Sequence, residues 1–172
     1  LEAWASPARG VVAPLLTAAV STALGWVGIP AWLTVKLAMA AVITWLASYL
    51  LPRLGQVAFD MQPTAARRLL ISALVLYFWR GYALYPLGDI PALALTTAAA
   101  IIVLTLPTRS RPWMWLTLLG ASVAMAVNLR PGYAFAALVL VVLAAAQLVR
   151  SGPRPAAIGI AGVVAGIALV SL

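Results

Sequence analysis

The chain has 172 residues, of which 65% are hydrophobic and only 8% charged, with eleven basic and three acidic side chains and a mean hydropathy of +1.09. A water-soluble domain needs about a quarter charged residues to cover its surface, so a soluble fold is excluded and lipid is the solvent that remains. The formal charge of +8 is spread one or two residues at a time between apolar runs, which is a topology pattern and not a nucleic-acid-binding face.

Charge and proline punctuate the apolar runs. The first spans Val11 to Gly28 and is interrupted by Pro14; the second spans Ala31 to Leu51 and holds Lys36 near its start. The third runs from Leu69 to Pro86 with Arg80 inside it. Four more follow at Ile90 to Leu106, Pro112 to Asn128, Tyr133 to Val149 and Ala156 to Leu172. Runs of about 17 to 21 residues at 1.5 Å rise match a hydrocarbon core ~30 Å thick. The runs lack the period-two alternation of barrel strands, and prolines stand at helix starts: Pro91, Pro112, Pro131 and Pro155. The expected fold is all-α, a polytopic transmembrane bundle of about six to seven apolar helices in one domain over residues 1–172. Only two residues separate the first run from the second. It is therefore open between a span and a bent juxtamembrane helix on the outer surface.

Alternation of the later runs sorts the charges. One face collects Arg53, Arg67, Arg68, Arg109, Arg111, Arg150 and Arg154; the other keeps Lys36, Arg80 and Arg130 with Asp89. Arginine-rich short loops stay cytoplasmic, which puts Asp89 and Arg130 on the non-cytoplasmic face. The alanine- and arginine-rich, lysine-poor composition suggests a bacterial plasma membrane.

Three places carry what chemistry the sequence has. The segment Tyr82 to Pro91, including Tyr85, reads as a non-helical elbow with Asp89 as the one outer acid. Asp89 alone is first a helix cap. Arg80 lies among Phe78, Trp79 and Tyr82, where it either sits at the interface or is paired. Asn128 to Tyr133 is a tight outer turn in which Arg130 either anchors a helix end or binds. Lys36 lies about one turn inside its helix, within reach of the interface by snorkelling. Trp113 and Trp115 read as belt residues, and Gly162 to Gly166 as a close-packing spacing. Neither cysteine nor histidine occurs, which removes thiolate chemistry and the usual general base. No phosphate-loop or dinucleotide fingerprint is present, and the three acids fall in different loops. One outer aspartate beside outer cations suits an anionic lipid headgroup.

The stretch from Pro14 through Gln147 resembles the membrane core of the GT-C glycosyltransferases, multi-spanning enzymes that use polyprenyl-phosphate sugars. Three patterns carry the likeness: Ala13–Pro14–Leu15–Leu16 with Gly25 to Lys36; Tyr85 through Pro91, where an acid precedes proline at a helix start; and Leu119–Gly120 through Asn128–Leu129–Arg130–Pro131. The resemblance implies transfer of a sugar from a polyprenyl-phosphate donor to an acceptor hydroxyl on the outer face. It makes Asp89 a site residue as well as a cap. Lys36, Arg80, Arg130 and Tyr85 become substrate-binding residues, and there is room for a divalent cation at Asp89. The family's principal catalytic acid would fall upstream of Leu1, so the chain is expected to be a fragment of a longer membrane protein, inactive alone. The competing readings are non-enzymatic: a transporter segment, or a structural or assembly subunit.

Overall fold

The computed structural model describes residues 12–62, 64–79, 88–108, 111–150 and 153–171. Among them every regular element is helical. The helices are α1 (Val12–Gly25), α2 (Ala31–Trp45), α3 (Leu51–Phe59), α4 (Ala65–Trp79), α5 (Asp89–Thr105), α6 (Pro112–Leu129), α7 (Ala134–Arg150) and α8 (Pro153–Ser171). A π turn at Leu46–Leu50 fuses α2 and α3, so the eight segments form seven rods. Four of the described rods are long and apolar enough to cross a membrane: Ala31–Phe59, Asp89–Thr108, Pro112–Leu129 and Pro131–Arg150. The protein is a polytopic all-α membrane helix bundle.

α1 is 14 residues long, about 21 Å at helical rise and short of a ~30 Å core. Its end is a Schellman motif. Gly28 takes φ +80°, its N–H bonds Gly25 O at 3.0 Å, and the Ile29 N–H bonds Leu24 O at 3.1 Å. Pro30 then opens α2.

The second apolar run was expected to stop at Leu51, ahead of Pro52. Instead the rod continues to Phe59. Proline inside a helix lacks an N–H for the carbonyl four residues earlier and collides with it. The π turn immediately upstream loosens the spiral there and lets buried Pro52 pass. The rod ends where Asp60 takes the left-handed conformation, φ 51°, and the Met61 N–H bonds Gly55 O at 3.3 Å. α4 begins at Ala65, four residues earlier than its apolar run, because Thr64 caps it and accepts the Arg67 N–H at 3.4 Å.

α5 is the central rod. Its buried residues lie on every side, from Ile90 and Ala92 to Val103 and Thr105. One side meets Met39, Ile43, Leu46 and Leu50 of the α2 rod; the other meets Leu116, Leu119 and Val123 of α6, with Leu148 of α7. Hydroxyls in this interior fold back on their own helix. Thr97 Oγ1 donates to Leu93 O and Thr105 Oγ1 to Ile101 O, each at 2.8 Å.

α6 and α8 make the closest contact in the bundle. A Cβ on Gly162 would stand 3.1 Å from Trp113 O, and one on Gly166 would run into Thr117 O. Both numbers rise together along the two helices, so α6 and α8 run parallel. A Cβ on Gly120 would likewise overlap the Val163 carbonyl. Lipid offers no hydrophobic drive for helix association, so contact depends on backbones approaching closely. The Gly162–Gly166 spacing does this within the chain. Trp113 is exposed as a belt residue should be, whereas Trp115 is half-buried against the core.

Candidate functional site

The Asp89–Arg130 cluster is built from backbone outward. Gly88 is the N-cap of α5, so Asp89 is already in its first helical turn. Of the expected non-helical elbow at Tyr82 to Pro91, residues 82–87 lie outside the described residues, and the remainder is corrected, since Asp89, Ile90 and Pro91 are helical. Asp89 does not occupy the cap position. Gly88 does, with no side chain to bond the free N–H groups. Asp89 still complements the positive end of the helix dipole.

Gly88 lies against the last turn of α6: a Cβ there would stand 2.5 Å from Leu129 O. That approach sets the α5 start beside the α6 end. Beneath it, buried Ala92, Ala126 and Leu129 pack with Leu95, Met125 and Tyr133. Arg130 follows α6 in an extended conformation, φ −152° and ψ 103°, while its N–H still bonds Ala126 O at 2.9 Å. The extended residue turns its side chain out of the helix toward α5. Arg130 Nε donates to Asp89 Oδ1 at 2.8 Å, a charge-assisted bond. A second link crosses the same junction, where the Tyr133 hydroxyl donates to the Asp89 backbone carbonyl at 3.4 Å. Tyr133 is fixed by its own N–H bonding Arg130 O at 3.0 Å. It carried no sequence signal beyond following Pro131–Gly132.

The arginine side chain is 56% exposed and the aspartate 29%. With its guanidinium bonded through Nε and more than half of the side chain exposed, Arg130 can offer further N–H donors to a second anion. A planar fork with open donors fits a phosphate or carboxylate. Phe135, one turn on, and Trp26 and Trp32, near the α1–α2 turn, are exposed. In chain order they belong to this same end, and the two tryptophans are of the type that favours headgroup level.

Lys36 stands on the exposed side of α2 with its ammonium 5.1 Å from the Trp32 ring centroid, a cation–π contact one turn toward the helix start. That posture is the one snorkelling requires. Among the described residues it forms no ion pair with the Asp89–Arg130 cluster. Arg80 and Tyr85 lie outside the described residues. Among the described residues no three acidic or imidazole side chains gather as a metal site, and the Asp89 carboxylate meets a guanidinium. These residues do not fit a divalent cation.

The bundle and its charged ends define a polytopic α-helical membrane protein. Compared with known proteins, the chain matches no family model, no curated protein and no solved structure.

Proposed function

We propose that this chain belongs to the membrane core of a glycosyltransferase that moves a sugar from a polyprenyl-phosphate donor to an acceptor hydroxyl at the non-cytoplasmic face of a bacterial plasma membrane. The observation that supports it is the junction at Gly88–Asp89 and Arg130, where two of the three motifs shared with GT-C enzymes come together at one end of the bundle. In this reading the open fork of Arg130 takes the donor phosphate, aided by Arg80 and by Lys36 swinging off Trp32. Charge that builds on the departing phosphate is offset by these fixed cations. Asp89 holds Arg130 at rest and orients a sugar or acceptor hydroxyl when phosphate takes its place, with Tyr85 as a further substrate-binding residue. The isoprenoid tail stays in lipid.

The test is sugar transfer in membranes carrying the full-length protein, with Asp89→Asn and Arg130→Ala compared against wild type at matched insertion. Each is expected to reduce transfer by at least about tenfold, the equivalent of one lost charge-assisted contact. Unchanged transfer returns both residues to structure.

One observation favours a second reading, a structural junction in a non-enzymatic membrane protein such as a transporter segment or assembly subunit. The carboxylate and guanidinium already pair with one another across two helix ends.

A further inference from the structure

The most exposed described stretch lies at the turn between α3 and α4, far along the chain from the Asp89–Arg130 cluster. The α2–α3 rod is 29 residues, about 43 Å at helical rise, and so outruns a ~30 Å core. The surplus falls in α3, beyond the π turn, where the sequence changes from mostly apolar to mixed. Leu51 and Leu54 pack against the core, while Arg53 Nη1 bonds Gln56 Oε1 at 2.5 Å. Thr64 to Leu70 are all exposed, so the first turns of α4 stand clear of the other helices.

The side chains at this elbow are of two kinds. Phe59 and Leu69 are 75% and 71% exposed, with Met61 and Leu70 also exposed. Among them stand Arg67 and Arg68, both exposed. The elbow's shape is fixed locally: Asp60 turns left-handed, Thr64 caps α4, and Arg67 Nη1 bonds Gln62 O at 2.9 Å. Arg68 has no acidic partner among the described residues. Apolar side chains among two exposed arginines are what an interfacial segment presents to acyl chains and phosphates together.

We propose that the α3–α4 elbow is a binding site for an anionic phospholipid, with Arg67 and Arg68 on the headgroup phosphate and Phe59, Met61 and Leu69 beside its acyl chains. Water would leave these apolar side chains uncovered, and a zwitterionic headgroup would add no net charge to meet the two cations. Charge complementarity therefore selects the anionic lipid. Nothing in this depends on the glycosyl-transfer reading.

The test uses the full chain in nanodiscs of phosphatidylcholine with phosphatidylglycerol, and native mass spectrometry of the lipid retained on gentle release. Wild type is expected to retain phosphatidylglycerol over phosphatidylcholine. R67Q/R68Q should lose that preference by about fivefold per arginine, as expected for a surface cation against anionic lipid. R111Q/R150Q, which removes two cations from other loops, should retain it. Added inorganic phosphate should not displace the lipid. Should R67Q/R68Q insert poorly, a photoreactive phosphatidylglycerol on wild type decides, with label expected on residues 59–70. Equal loss in both double variants, no preference in wild type, displacement by free phosphate, or label spread evenly over the arginine-bearing loops would each overturn the proposal.

Discussion

Asp89 and Arg130 meet because Gly88 has nothing at Cβ. The Leu129 carbonyl occupies the space that a side chain on Gly88 would fill, and the 2.8 Å ion pair forms one residue further along each strand of chain. Gly88 takes φ −62°, which any residue adopts, so the requirement is room and not backbone freedom. Gly88→Ala must push the α6 end away by about half an ångström or more, because a Cβ would lie 2.5 Å from a backbone oxygen. It is expected to cost about 1–3 kcal/mol, the usual range for overpacking. Gly132→Ala, which meets nothing within 4 Å, should be nearly silent. Thermal unfolding of the two variants in one detergent compares them directly, and equal losses would show that the junction has slack.

The ion pair itself is a weak source of stability. With Arg130 more than half exposed, solvent and headgroups screen it, and surface pairs contribute about 0–1 kcal/mol. A double-mutant cycle with Asp89→Asn and Arg130→Gln should give a coupling within that range. A much larger coupling, unaffected by salt, would favour the structural junction over a site that opens to a ligand. The Tyr133→Phe change belongs in the same series. Its 3.4 Å bond is long, and losing it should cost no more than about 1 kcal/mol.

Helix number and type were readable because lipid leaves one dominant signal, apolar length, and the runs at Ile90, Pro112 and Tyr133 each became a rod within a few residues of their sequence limits. Boundaries failed where local chemistry overrode hydropathy. A π turn carries a helix through Pro52, and a threonine cap starts α4 in polar sequence before Leu69. The site was half legible. Asp89 and Arg130 stood out as charges beside apolar runs, but their partnership depends on Gly88 meeting Leu129, a contact with no sequence period. Tyr133 was invisible for the same reason. Lys36 stood out equally, yet the structure gives it to Trp32, because an exposed helical lysine finds its nearest ring one turn away.

The arginine distribution predicts a sidedness that labelling can test. The absence of cysteine makes single-cysteine labelling clean. Gly132→Cys lies in the open α6–α7 turn and should react with an impermeant maleimide from outside intact cells. Ser110→Cys, between Arg109 and Arg111, should react only after permeabilisation. The reverse pattern would move the Asp89–Arg130 cluster to the cytoplasmic face and end the outer-face reading of its function.

The α6–α8 contact makes the sharpest stability forecast. Added carbon at Gly166 meets Thr117 O and lies 2.6 Å from Ala121 N, both backbone atoms of a helix that cannot rotate aside. At Gly159 the neighbours are instead the ends of Leu148 and Leu116, which can change rotamer. Gly166→Ala should therefore exceed Gly159→Ala in cost, by about 1 kcal/mol or more, although the residue change is identical. Because helix association in lipid rests on close packing, the penalty should appear as separation of α8 from the bundle before general unfolding. Disulfide trapping between cysteines at Trp113 and Gly162, whose backbones adjoin, reports it. Trapping that is efficient in the parent and in the Gly159→Ala background should fall in the Gly166→Ala background. Equal trapping in all three would mean that the two helices hold together by contacts other than their glycines.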